Sequence, residues 1–269
     1  MNQFSIISYN IWFDDYLAFE RANSLVNLIN INNPDVLCLQ EVRQDIYSYL
    51  IKNLSNYPFY FPKDITTDYG SVILSRHKIT KCLIYFFENS NMQRYLNICV
   101  INFPYKSIVS DELIISNIDI VVANTHFESL FKINEVNKIK IEQYELSLKI
   151  LEEMYNLYKM VIFCSDTNLI KQEEDLFNQI WNNDWVDSWI IYSDKLLKYT
   201  YDSYENIYLK LRKYKFKSRL DRILFKSLDL GLIDFKLIKG SENIIEPSDH
   251  FGTYGKFEIK FKEITNIFK

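Results

Sequence analysis

The stretch EPSDHFGTYGKFEIKF, residues 246–261, sets Asp249 and His250 side by side directly before a run that alternates apolar and polar residues. Alternation with a period of two marks a strand that buries one face. The segment therefore reads as a strand with a polar cluster at its mouth, in a chain that has only 3 histidines. Other runs repeat the construction. Apolar and β-branched stretches suited to strands stand at 4–12, 35–40, 69–75, 95–103, 118–127, 159–166, 219–225 and 251–261. Asn10 comes late in the first of these, Gln40 and Glu41 close the second, and His126 closes 118–127. Asp166 and Asn168 follow 159–166, and Asp221 lies within 219–225. Between the runs, Ile141, Tyr144, Leu148, Leu151, Tyr155 and Tyr158 are spaced by three and four, which predicts a helix packing one apolar stripe on the core. The expected fold is a two-sheet α/β sandwich flanked by helices, with 95–103 and 118–127 as antiparallel neighbours. The order of the strands is not readable from the pattern.

Composition narrows the class. The 269 residues are 48% hydrophobic, 16% aromatic and 25% charged, enough for a single folded domain over 1–269 with its own core. The first residues, MNQFSIISYN, carry no basic region, and no apolar run reaches the length of a membrane helix, so an intracellular protein, nuclear or cytoplasmic, is expected. It is expected to act as a monomer without a membrane. Cys38, Cys82, Cys99 and Cys164 sit in apolar runs without CxxC spacing, which predicts buried reduced thiols and neither a zinc site nor a disulfide framework. The net charge of −4 gives no global basic field, so a nucleic acid would need a local patch. NIYLKLRKYKFKSRLDR, residues 206–222, supplies one: seven lysines and arginines interleaved with aromatics, as suits a phosphate backbone and unstacked bases. An exposed hairpin whose lysines block edge pairing has the same composition. His77 lies in a polar turn away from every other candidate and reads as a surface histidine.

An acid after a strand is most often a solvated turn residue. Carboxylates, amides and two of the histidines gathered at strand ends are instead how a rigid scaffold presents a preorganised site. Hydrolysis of a phosphodiester calls for such a set: a hard cation, a base for water, and donors to the equatorial oxygens. Glu41 suits magnesium, Asp166 suits the base, and Asn168 suits a phosphate donor. An imidazole paired with a carboxylate, His250 with Asp221, keeps its proton and a fixed orientation.

The segments SYN (8–10), LQEV (39–42), NTHFES (124–129), SDTNL (165–169), LDRILF (220–225) and PSDHFG (247–252) resemble, in order and spacing, the motifs of the endonuclease/exonuclease/phosphatase superfamily over nearly the whole chain. Within it, THFES, SDTNL, YTYD (199–202) and SDHFG are most similar to the tyrosyl-DNA phosphodiesterase 2 branch. The resemblance implies a four-layer α/β sandwich of two mostly antiparallel sheets flanked by helices, deoxyribonuclease-like. It implies Mg2+ dependence, with Mn2+ as a substitute, and hydrolysis of the bond between a tyrosine and a DNA 5′ phosphate left by a trapped topoisomerase. The partner is a DNA 5′ end carrying a tyrosyl or peptide adduct.

Carried onto this chain, the resemblance makes Glu41 a metal ligand and Asp249 a ligand through water. Asp166 becomes the catalytic acid/base, Asn10, His126, Asn168 and His250 contact phosphate, and Asp221 supports His250. Tyr69, Ser129, Tyr201 and Leu220 fall where that branch meets the DNA end, with Lys132 and Arg219 as accompanying charges. The chain departs from the pattern at Trp12 for an acid, Ser165 for a glycine, Tyr201 for a tryptophan, and Phe131 and Ile170 for arginines, although Lys132 and Lys171 follow one residue later. A general or abasic-site nuclease and an RNA deadenylase share most of these motifs. An inactive DNA-end-binding module is the reading outside enzymes; the joint presence of Asn10, Glu41, Asp166, Asn168 and His250 argues against it.

Overall fold

Phe4 and Ile6 point to one side of the first strand and Ile7 and Tyr9 to the other, and all four are fully buried. A strand buried on both faces must lie between two layers. The computed structural model, which describes residues 2–109, 112–129, 137–181, 184–192, 198–240 and 245–260, shows both.

The first six-stranded sheet runs, side by side, Leu230–Ile238, Gly252–Ile259, Gln3–Asn10, Val36–Val42, Gly70–Ser75 and Phe59–Phe61. The second runs Ile79–Phe86, Tyr95–Val109, Glu112–His126, Met160–Asp166, Asp221–Ser227 and Val186–Asp187. Each sheet has one parallel pair, Gln3–Asn10 with Val36–Val42 and Glu112–His126 with Met160–Asp166, and is otherwise antiparallel. Inward residues such as Phe4, Ile6, Cys38 and Phe257 meet Cys99, Val122, Ile162 and Phe225 between the sheets. Ile7, Leu39 and Val72 turn outward beneath the helices Ala18–Asn32 and Gln44–Asn53. On the far side, Val121, Ala123 and Phe163 pack beneath Lys138–Tyr158 and Glu174–Ile180. This is the expected four-layer sandwich.

The apolar stripe of Lys138–Tyr158 faces that last core, with Tyr144 and Leu151 fully buried. All eight sequence-predicted strands form, and 95–103 pairs antiparallel with 118–127 as expected. Phe59–Phe61, Ile79–Phe86, Val186–Asp187 and Leu230–Ile238 lie outside the expected strands; they are the four edges of the two sheets, with half-exposed faces that blur the pattern. Cys82 corrects another expectation: it lies exposed on the edge strand, while Cys38, Cys99 and Cys164 are buried and all four are free thiols. His77 lies apart from the site but is not simply solvated, since its Nε2 is 2.9 Å from Asp35 and its ring packs edge-on against Phe103. No helix among the described residues is long and apolar enough to cross a membrane.

Strand direction brings the polar residues together. Two parallel strands end at one rim, so Asn10 lies opposite Gln40 in the first sheet and His126 opposite Asp166 in the second. Antiparallel partners begin where those strands end: Asp221 stands opposite Asp166, and Ser8 faces Thr253, three residues after His250.

Candidate active site

Glu41 reaches the rim through a break in the ladder. The pairing of Val36–Val42 with its antiparallel neighbour shifts register between Leu39 and Val42, and Glu41 has φ 57 in the left-handed region. A bulge re-aims a side chain, and the strained backbone is sustained only by surrounding structure. Gln40 turns inward instead, donating to Asn124 Oδ1 at 2.7 Å and to Ser8 Oγ at 3.1 Å between the sheets. Asn168 has φ 48, a conformation asparagine tolerates, and its backbone N–H donates to Asp166 Oδ1 at 2.9 Å. Its side chain donates to Phe127 O at 2.9 Å.

Asn10 ties the two sheets together. Its amide donates to Asp166 Oδ2 at 2.8 Å and to Glu41 Oε1 at 3.0 Å. The Asp166 carboxylate also lies 3.4 Å from His126 Nε2 and 4.0 Å from His250 Nε2. His250 Nδ1 is 2.9 Å from Asp221 Oδ2, as the sequence led us to expect. His126 Nδ1 is buried without a hydrogen-bond partner among the described residues and lies 3.9 Å from Glu41 Oε1.

Charge sorts the two imidazoles. Burial, aided by the neighbouring Arg94, drives His126 well below the ordinary histidine range, so it is neutral. Burial also works against the His250 imidazolium but is overridden by the charge and hydrogen bond of Asp221, then by Asp166 and Asp249, and His250 ends well above that range. Burial raises the Asp166 carboxyl, yet the imidazoles, the Asn10 amide and the Asn168 N–H outweigh it and leave it more acidic than usual. The site thus holds an ionised acid facing a protonated histidine.

Glu41 and Asp249 behave differently. Burial raises both carboxyls, and the Asp249 charge raises Glu41 further. Two buried oxygen-bearing acids whose ionisation their surroundings disfavour fit a hard divalent cation. Ligand atoms of Glu41, His126 and Asp166 lie within 4.8 Å of one another, and the partnerless His126 Nδ1 borders the same space. Asp249 is also approached by Arg212 Nη2 at 3.6 Å.

The expected DNA contacts divide. The Tyr69 ring stacks on Phe13 with centroids 4.4 Å apart, and the Phe13 N–H donates to Glu41, so Tyr69 borders the acid side. Tyr201 packs edge-on against His250, centroids 5.1 Å apart, and accepts a hydrogen bond from Arg212 at 2.7 Å. Ser129 is half-buried, its hydroxyl against Met92 Sδ. Two expectations need correction. Arg219 is buried in ion pairs with Asp187 at 2.6 Å and Glu174 at 3.8 Å, so it is not a free surface cation. Leu220 is buried as well, and its carbonyl accepts from the Thr167 N–H and hydroxyl, holding the Asp166 turn. Lys132 lies outside the described residues.

Arg94 and Lys140 escaped the sequence reading. Arg94 Nη2 is 3.4 Å from His126 Nε2, and its guanidinium lies over the Tyr69 ring at 5.1 Å. Lys140 is fully buried, with Nζ 2.6 Å from Glu173 and donating to Asn168 O at 2.7 Å, beneath the Asn168 turn. A lone arginine in NMQR and a lysine on a helix look like surface residues; no local pattern announces either.

A two-sheet sandwich with acids and imidazoles converging where strands from both sheets end is the architecture of the endonuclease/exonuclease/phosphatase class, and the model of the Endonuclease/Exonuclease/phosphatase family matches residues 7–107. Among curated proteins, tyrosyl-DNA phosphodiesterase 2 of Bos taurus is 31% identical over 93% of this chain and 66% of its own length. The Homo sapiens protein of the same name is 30% identical over 96% of this chain and 69% of its own length. The chain belongs to the tyrosyl-DNA phosphodiesterase 2 family, and spans about two thirds of the length of these relatives. Among solved structures, D. rerio TDP2 complexed with single strand DNA product superposes with a TM-score of 0.81 at 25% identity, covering 96% of this chain and all of that one. A family protein from Bacteroides thetaiotaomicron shares the fold, with a TM-score of 0.72 at 14% identity over 97% of this chain and 99% of its own.

Proposed function

We propose that this chain hydrolyses the phosphodiester joining a tyrosine, free or within a peptide, to the 5′ phosphate of a DNA end, acting as a monomer with magnesium. The observation that carries the chemistry is the ionised Asp166, oriented by Asn10 and Asn168 and facing the protonated His250. The substrate rests on the family, whose members bear that reaction in their name, and on the DNA product held by the D. rerio relative.

Asp166 removes a proton from water as the water oxygen forms its bond to phosphorus. The bond from phosphorus to the tyrosine oxygen breaks, and the electron pair leaves on the phenol. A phenol titrates near 10, so the departing oxygen needs little protonation. Charge growing on the equatorial oxygens is met by His250, kept protonated by Asp221, with a donor from Asn168. Arg94 adds a fixed positive charge beside the neutral His126. Glu41, with Asp249 through water, would hold magnesium, or manganese in its place, which would supply positive charge beside the phosphate.

Turnover in water enriched in heavy oxygen tests the bond assignment. The label should appear in the 5′ phosphate and not in tyrosine; label in the released tyrosine would refute attack at phosphorus.

A further inference from the structure

Cys82 and Cys99 stand directly opposite each other in the antiparallel pair of Ile79–Phe86 and Tyr95–Val109. Opposite partners in such a pair have Cα atoms about 4.5 or 5.5 Å apart, and a disulfide spans about 4.4–6.8 Å. Side chains at opposite positions share a face, and here the two thiols are close enough to hydrogen-bond. Their surroundings differ. Cys99 is fully buried between the sheets, whereas Cys82 is exposed on an edge strand that has a neighbour on one side only. The pairing of that edge strand also shifts register between Ile79 and Lys81, next to Cys82, so its backbone has room to adjust.

The exposed member has the character of a nucleophile. The Cys99 S–H donates to the Cys82 sulfur and, with the Lys63 ammonium, brings the Cys82 thiol down to about 7 against a smaller opposing effect of burial. Lys63 is itself set over the Tyr60 ring at 3.9 Å, beside the edge strand of the other sheet. A thiolate open to solvent is the form that peroxides attack. Cys38 and Cys164 provide the contrast. Their thiols also lie within hydrogen-bond reach, but both are fully buried between the sheets, and burial pushes the Cys38 thiol well up.

The hairpin that holds the exposed pair leads to the candidate active site. Its turn is closed by the Phe87 N–H donating to Arg94 O at 3.0 Å, and Ser90 Oγ donates to the buried Glu128 at 2.7 Å. Arg94 Nη2 then lies 3.4 Å from His126 Nε2. Cys82 comes five residues before Phe87 and Cys99 five after Arg94, so a bond between them would tie the two arms behind the turn.

We propose that Cys82 and Cys99 are a peroxide-responsive pair that closes to a cross-strand disulfide and locks the hairpin carrying Arg94. The Cys82 thiolate attacks one peroxide oxygen; the S–O bond forms, the O–O bond breaks, and the departing hydroxide takes up a proton as water. Cys99 sulfur then attacks the Cys82 sulfenic acid. The S–S bond forms, the S–O bond breaks, and hydroxide leaves with the Cys99 proton as a second water. Two thiols are oxidised by two electrons and one peroxide is reduced to two waters.

The test treats the full chain, fully reduced and without denaturant, with a small excess of hydrogen peroxide. Peptide mass mapping should show one link, Cys82 to Cys99, with Cys38 and Cys164 still alkylated after unfolding, and dithiothreitol should reverse it. Amide exchange across residues 87–94 should slow about tenfold, and Tm should rise by at least about 4 °C. Cys82→Ser, a change at an exposed position, should leave the three remaining thiols reduced under the same treatment. Cys82 oxidised beyond sulfenic acid without a link, a Cys82–Cys82 link between two chains, or a first link at Cys38–Cys164 would overturn the pair. Oxidation of Cys99 at an undiminished rate in Cys82→Ser would overturn Cys82 as the point of attack. A Cys82–Cys99 link that leaves exchange across 87–94 unchanged would overturn the lock. None of these readouts requires turnover, so they stand apart from the choice of phosphodiester substrate.

Discussion

At the scale of single residues, two carboxylates that differ little in sequence context divide the work by environment. Asp166 accepts hydrogen bonds and faces a cation, so it ionises readily; Glu41 faces Asp249 and is held up by burial and repulsion. Glu41→Gln keeps size and removes the charge a cation needs. Magnesium affinity by calorimetry and the rate should fall together while the thermal unfolding curve keeps its shape; unaltered metal binding would refute the assignment. The His250–Asp221 pair makes a pH prediction. His250 keeps its proton well above the ordinary value of 6.5 because Asp221 sits 2.9 Å away. A folded-state pKa raised in this way gives stability that is fully present below about 6.5 and lost as pH rises through the folded value. In Asp221→Asn the imidazole should release its proton near neutrality, so the alkaline limb of the rate profile moves to lower pH and the stability deficit is largest in acid. A profile with an unmoved alkaline limb would reduce the pair to a clasp between strands.

Elements set these residues in place through their ends. Strand identity was legible because apolar runs such as KMVIFCSD and IDIVVANTHF stop in polar residues, and the helix 141–158 because its stripe keeps the right spacing. The edge strands were not legible, since Ile79–Phe86 is half-exposed and alternates weakly. Lys140 was hidden for a different reason: a lysine at a helix start reads as solvated, and only the fold brings Glu173 and the Asn168 carbonyl to it. Removing one partner of a buried pair leaves the other charged and alone, so Lys140→Met should cost about 3–5 kcal/mol in denaturant unfolding. Lys140→Met/Glu173→Leu should recover most of that; equal instability in the double variant would show that volume, not charge, matters there. Tyr201 sits on the short ribbon of Tyr201–Asp202 and Lys217–Ser218 that carries the exposed basic turn. With stacking worth about 1–3 kcal/mol per base, Tyr201→Ala should impair DNA substrates far more than a small aryl phosphodiester. Equal impairment of both would mean that Tyr201 serves to hold His250.

For the whole molecule, the sandwich explains why widely separated segments yield one site. Parallel strands in each sheet end at the same rim, and the packed sheets bring the two rims face to face, so residues 10, 41, 126, 166, 221 and 250 meet without a shared local motif. Residue types at strand ends could be read in advance; Arg94, placed by the turn before its strand, and the burial of Arg219 and Leu220 could not, because both depend on which loops pack over the rim. In the proposed reaction this rim, with Asp166 as base, cleaves tyrosine from DNA ends. The most direct measurement compares wild type and Asp166→Asn on a 5′-phosphotyrosyl oligonucleotide, an abasic duplex and an RNA tail, each with magnesium and with chelator. Wild type should release tyrosine and leave a 5′ phosphate, work poorly on the other two, and stop with chelator. Asp166→Asn should be at least about a hundredfold slower while still binding the oligonucleotide. Cleavage of the abasic duplex or RNA without release of tyrosine, or an Asp166→Asn protein that turns over at the wild-type rate, would contradict it.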